Sequence, residues 1–153
     1  MAKDRVQKEV SKVLFHCKFP VPYHGIKKNN KQIAYNRATG RSFIRSSDKA
    51  LFLQNWLTQK LTVEKLKQRI DTITQDVNIK FIFHIPESVY YTKQGVRSKK
   101  VADISNLYEL PQDVLQKTKI IENDSQVESH DGSRRKPIKD NTAWLEIEIT
   151  KST

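Results

Sequence analysis

One cysteine, Cys17, in 153 residues excludes an intramolecular disulfide and any cysteine-based zinc cluster. It lies in an alternating apolar stretch and is expected to be a small buried hydrophobe. Long apolar runs are also missing. The longest, Phe81 to Ile85, is interrupted by His84 and is far too short to cross a bilayer, and the opening Met-Ala-Lys-Asp-Arg starts no signal-peptide core. These absences predict a soluble, cytoplasmic protein with no membrane partner. Internal repeats and low-complexity tracts are lacking too. The length suits one domain over residues 1–153, with residues 1–10 expected as a flexible N-terminal extension. With 37% hydrophobic residues, the chain can build an ordinary core.

Acid is absent from a long N-terminal stretch. Lys18 to Arg45 holds seven basic residues (Lys18, Lys27, Lys28, Lys31, Arg37, Arg41, Arg45) and no Asp or Glu. The balance reverses from Val101 to Asp131, where seven acids (Asp103, Glu109, Asp113, Glu122, Asp124, Glu128, Asp131) stand against Lys117 and Lys119. The whole chain carries a formal charge of +11, which favours a polyanionic partner because neutralising phosphates releases condensed counterions. The acidic island within so basic a chain suggests a place to hold cations.

Alternation at Val13, Phe15, Cys17 and Phe19 predicts a half-buried strand ending at Pro20. Ile33 to Ile44, with Thr39-Gly40 in the middle, is expected to form a hairpin. Ser46, Ser47 and Asp48 supply N-cap candidates for a long helix with Leu53, Trp56, Leu57 and Leu61 on its inner face. Leu66, Ile70 and Ile73 should continue that face, and Thr62 should divide the helix. Val77 to Ile85 alternates as a second core strand stopped by Pro86. Glu87 to Lys100 is expected as a long polar loop rich in Tyr and base. A shorter helix over roughly Ser105–Lys117 should point Leu107, Leu110 and Val114 inward, with a kink or late start at Pro111. Asp131-Gly132 is expected as a tight turn between two short strands, and Leu145, Ile147 and Ile149 mark the last strand. The fold class is therefore α/β of the α+β type, a small mixed sheet packed against two main helices.

Ser105, Glu109 and Asp113 are spaced four apart and share a helix face opposite the leucine stripe, beside Asp103 just before the helix. Phosphodiester hydrolysis needs a divalent cation to polarise the phosphate and acidify the attacking water, and Mg²⁺ takes one or two carboxylates plus waters and substrate oxygens. Asp103 and Asp124 are the first candidates as ligands. Spacing alone leaves alternatives: acids near a helix start also serve as dipole partners, Asp113 as a solvated mid-helix acid, and Asp124 as a turn residue. The basic residues Lys27, Lys28 and Lys31 with Asn29 and Asn30, together with Arg97, Lys99 and Lys100, are candidates for gripping phosphates, with Tyr23, Tyr35, Tyr90 and Tyr91 interleaved. His84 and His130 have no partner at metal-ligand spacing and are expected to be structural.

The run Asp103-Ile104-Ser105-Asn106-Leu107, then Asp113, then Asn123-Asp124-Ser125-Gln126-Val127, resembles the RusA-like family of Holliday-junction resolvases. That family pattern is Asp-x-Asp-Asn-Leu-x-Lys at a helix start, an Asp within the helix, and Asp-Asp-x-Gln-(Ile/Val). Lys99-Lys100 stands where the family carries base, and the likeness extends from about Val13 to the last strand. The resemblance implies a homodimer that resolves branched DNA by paired nicks in DNA recombination and repair, using Mg²⁺ or Mn²⁺ and no small-molecule substrate. It further implies Asp103 and Asp124 as metal ligands, Asn106 as an ordering residue, and a role for Asp113. Ser105 at the second acid position, Glu109 at the Lys position and Asn123 at the first Asp of the pair depart from the pattern. They leave two consequences open: Glu109 replaces a lost ligand, or the protein binds junctions and cuts them weakly or not at all. A basic RNA-binding accessory protein is a third expectation. Phosphate stabilisation lost at Glu109 would fall to Lys99, Lys100 or Arg97.

Overall fold

In a computed structural model, residues 12–22, 31–46, 48–99, 101 and 104–152 are described. The expected extension at residues 1–10, the Lys27–Asn30 segment, Lys100 and Asp103 lie outside the described residues.

The sheet is built on β4 (Val77–Pro86). Antiparallel to it runs β7 (Trp144–Lys151), which in turn pairs antiparallel with β1 (Val13–Pro20). On the other edge of β4, β5 (Val127–Ser129) and β6 (Arg134–Ile138) both pair parallel, one after the other along the strand. The alternating pattern places three cross-strand rows on one face: Phe15–Ile149–Ile79, Cys17–Ile147–Phe81 and Phe19–Leu145–Phe83. All nine are buried, and this face is the floor of the core. The other face carries His16, Glu146, Glu148 and Lys80, with Lys80 Nζ 3.4 Å from Glu148 Oε1. One apolar and one polar face is what a half-covered antiparallel ladder requires.

Helices α1 (Asp48–Gln68) and α3 (Ile104–Lys117) pack against each other and form the second layer. Leu53, Leu57 and Leu61, four apart, are fully buried, as are Leu107 and Leu115, with Val114 nearly so. The mixed α+β architecture agrees with the expectation, and a short third helix, α2 (Glu87–Tyr90), follows β4 directly. No helix among the described residues is long and apolar enough to cross a membrane.

Several local expectations are corrected. Thr62 does not divide α1, because its hydroxyl donates to Thr58 O at 2.6 Å and Thr58 donates to Gln54 O at 2.7 Å, so both are satisfied inside the helix. Leu66 does not continue the inner face; it is 72% exposed, since the helix ends at Gln68 and Arg69 turns the chain at φ 51°. Ile73 instead bridges to Ile121. Val13 is exposed, where the β1–β7 register shifts before Phe15. Pro111 neither delays nor interrupts α3: it is buried one turn after Leu107, where its ring fills the inward stripe. The 87–100 segment is not a free loop, because Tyr91 bridges Arg97 and Ser98 N–H donates to Tyr90 O at 2.7 Å. The turn at Asp131-Gly132 does form, yet β5 and β6 do not pair with each other. Asn78 holds the turn on β4: its Oδ1 accepts from Asp131 N–H at 2.7 Å and from Ser129 Oγ at 2.6 Å.

The expected hairpin is present as β2 (Lys31–Asn36) and β3 (Arg41–Ser46), a separate two-stranded sheet. Its tip is closed by Asn36, whose Oδ1 accepts from Ala38 N–H at 2.9 Å, and by Gly40 at φ 67°. Tyr35, Arg37 and Arg41 are exposed there.

Candidate active site

The polar face of α3 meets the turn that leads into β5. A buried glutamine places that turn. Gln126 is 7% exposed and uses all of its amide capacity. Its Nε2 donates to Ile73 O at 2.8 Å and Gln75 O at 2.9 Å, and its Oε1 accepts from Glu122 N–H at 3.0 Å and Asn123 N–H at 2.9 Å. Residues 124–126 thus form a single 3-10 turn tied to the segment that leads from α1 into β4. Asn123 caps it, with Oδ1 accepting from Ser125 N–H at 2.9 Å. Asn and Asp cap about equally well, so Asn123 does the capping that an Asp at this position would do.

The same turn is attached to α3. Asp124 N–H donates to Gln116 Oε1 at 3.1 Å. An open pocket of about 410 Å³ lies here, lined by Asp113, Gln116, Lys117, Lys119 and Asp124. Burial, followed by the negative charges of Glu109 and Asp124, raises the Asp113 carboxyl above its ordinary range. Charges from the same helix and from the turn, at Glu109 and Asp124, thus both act on Asp113. Aromatic packing steadies the helix behind them. The His130 ring stacks on Tyr108 with centroids 4.2 Å apart and bonds Gln112 Oε1, and burial lowers its pKa.

Placement of the remaining candidates is uneven. Ser105 and Asn106 fall in the first turn of α3, and their side chains lie outside the described residues, as does that of Lys31 in β2. Ile104 precedes Asp113 by nine residues, about 13 Å along a helix axis. Asp124 thus meets α3 near its C-terminal half. Arg97 and Lys99 are exposed, and neither lines the pocket. Lys117 and Lys119 line it instead. Sequence reasoning treated these two lysines only as a minor offset to the surrounding acids. The available signal was spacing, since Gln116 and Lys117 are three and four residues after Asp113 and share its helix face.

Among the described residues, no three His, Cys, Asp or Glu side chains form a complete metal cage. Asp113, Asp124 and the Gln116 amide nevertheless offer hard oxygen donors in a pocket where burial and neighbouring negative charge raise the pKa of one carboxyl, and Mg²⁺ asks for no more than one or two carboxylates before water and phosphate complete its shell. The donor set fits such an ion. His84 behaves differently: it is buried, its Nε2 lies 3.4 Å from Glu146 Oε1, and burial lowers its pKa against the effect of that carboxylate. Cys17 is buried on β1, and burial pushes its thiol up to about 12, an inert core residue as expected.

A family model described as endodeoxyribonuclease RusA matches residues 20–150. No curated protein matches the chain.

Proposed function

This chain belongs to the endodeoxyribonuclease RusA family, and on that premise we propose that it is a homodimeric, metal-dependent nuclease that resolves four-way DNA junctions by paired nicks. The observation that carries this reading is the joining of Asp113 and Asp124 in one pocket by the two segments that bear the family pattern. Asp124 and Asp113 hold the cation, Glu109 adds charge from one helical turn away, and Asp103 joins them on the strength of the resemblance. Mg²⁺, or Mn²⁺ in its place, supplies Lewis-acid polarisation of the phosphate and a more acidic attacking water. Gln116 orients the Asp124 turn through its backbone N–H. The basic groups Lys27, Lys28, Lys31, Arg97, Lys99 and Lys100, with Asn29 and Asn30, grip the DNA backbone, while Ser105 and Asn106 order the start of α3. Two-fold symmetry would present two such sites to two equivalent strands.

A second reading, a junction-binding protein that cuts weakly or not at all, draws on the Ser105, Glu109 and Asn123 departures. The capping bond of Asn123 weakens it, since that position keeps its structural function. The two readings separate in a nicking assay on a four-way junction and a linear duplex, with Mg²⁺, Mn²⁺ or chelator. Symmetric metal-dependent nicks, lost in Asp103→Asn and Asp124→Asn, support the nuclease; equal cutting by both variants would falsify the site. Tight, salt-sensitive binding without any metal-dependent cut selects the second reading.

A further inference from the structure

We infer that Lys119 is a catalytic cation of this nuclease site, its ammonium meeting the scissile phosphate in the pocket lined by Asp113 and Asp124. The reaction itself rests on the family-based reading above; the residue rests on its own geometry. Lys119 lies in the turn that follows α3, at φ 60°, one of two non-glycine residues at positive φ among the described residues. Its N–H donates to Gln116 O at 3.1 Å, and Ile120 and Ile121 N–H both turn back to Leu115 O, at 3.0 and 3.3 Å. Such a closure favours glycine, because in the left-handed region a Cβ crowds the following carbonyl. A lysine here keeps a side chain at a cost in stability, and the residue lines the pocket together with Asp113 and Asp124.

Conformation alone does not single it out. Arg69 ends α1 at φ 51° and lines no part of the pocket, so a cation near the helix C-terminal dipole accounts for it. Lys119 differs in lining the pocket and in how its backbone is held, for Lys65 Nζ donates to Lys119 O at 2.9 Å and fastens the turn to α1. Lys117 shares the pocket but sits on the regular last turn of α3.

The chemistry requires such a group. In phosphodiester hydrolysis a water oxygen forms the new P–O bond and the P–O3′ bond breaks. One water proton passes to the released 3′ oxygen, leaving a 3′-hydroxyl and a 5′-phosphate. Negative charge grows on the non-bridging oxygens in between, and a pre-positioned cation stabilises it. Glu109 stands where the family pattern has lysine and cannot do this. Lys119, in the turn just past the C-terminal end of α3, restores the missing charge from a different backbone position.

Lys119→Gly tests this without threatening the fold, and Arg69→Gly is its control. Relief of the left-handed residue is expected to raise the melting temperature by about 2–4 °C in both variants. Single-turnover junction cutting with saturating enzyme should fall roughly 100-fold in Lys119→Gly alone, with recovery in Lys119→Arg. In chelator, where nothing is cut, the slope of log junction affinity against log salt should become shallower by about 0.9 in Lys119→Gly and stay unchanged in Arg69→Gly. A wild-type protein that fails to cut, together with the shallower slope, overturns the nuclease reading and leaves the phosphate contact standing. Unchanged cutting, or an unchanged slope, overturns the assignment of Lys119.

Discussion

Asp113 and Asp124, eleven residues apart in the chain, line one pocket, and the charge of Asp124 helps hold the Asp113 carboxyl above its ordinary range. That coupling makes the site testable before any DNA is cut.

Replacing Asp124 with Asn removes one of the charges acting on Asp113. The Asp113 carboxyl should then titrate at lower pH, closer to an ordinary aspartate, as followed by carboxyl-carbon NMR. An unmoved titration would show that the two groups do not sense each other. In the same variant, Mg²⁺ should lose its stabilising effect: a ligand that binds only the folded state raises stability with its concentration, so the wild-type melting temperature should climb with Mg²⁺ and that of Asp124→Asn should not.

Because Asp113 titrates higher when folded than when unfolded, its ionisation works against the fold. The favourable contribution is complete below the unfolded carboxylate pKa and is lost as pH rises through the folded value. Asp113→Asn should therefore be more stable than wild type at pH 7 in the absence of metal. An effect below about 1 kcal/mol is expected for a group this exposed, shrinking to nothing at acid pH. Urea unfolding at several pH values checks it.

His84 and His130 both have folded pKa values lowered by burial. The sign is opposite to that of Asp113: stability is fully present above the unfolded histidine value and falls as pH drops through the lower folded values. The unfolding midpoint should decline between about pH 7 and pH 5. His84→Gln should flatten part of this decline; an identical pH profile in the variant would exclude His84 as a contributor.

Gln126 has no exposed alternative for its four partners. Gln126→Leu leaves Ile73 O, Gln75 O and the Glu122 and Asn123 N–H groups without their side-chain partner, at an expected cost of about 2–4 kcal/mol in denaturant unfolding. Since the same bonds set the Asp124 turn, cutting should fall even under conditions where the variant remains folded. Loss of stability with full activity would separate the turn from the site.

Arg37 and Arg41 flank the tip of a hairpin that pairs with no other strand among the described residues and lies at the end of the acid-free stretch from Lys18 to Arg45. If both reach phosphates, the double alanine variant should lower the salt slope of junction binding by about 2, at roughly 0.9 per contact, while saturating enzyme still cuts at the wild-type rate. A slope equal to that of wild type would remove the hairpin from the DNA interface.

Alternation and helical spacing were enough to determine the framework. Phe15, Cys17 and Phe19, the Val77–Ile85 strand, Leu145, Ile147 and Ile149, and the Leu53, Leu57 and Leu61 face are buried as their periodicity requires, because strand and helix geometry translates spacing directly into a shared face. The acidic island and the pattern around Asp113 and Asp124 were equally legible. Tertiary structure decided what depends on a neighbour distant in the chain. Thr62 and Pro111 carry breaker chemistry in isolation, but one is satisfied by Thr58 O and the other is buried in the core. The turn at Asp131-Gly132 was visible, whereas the pairing of both flanking strands with β4 was not, and Asn78, more than fifty residues earlier, fastens the turn to that strand. The content of the pocket belongs to the same class: Gln126 reaches back to Ile73, and Lys119, held in a left-handed backbone that no side-chain pattern announces, lines the pocket with Asp113 and Asp124.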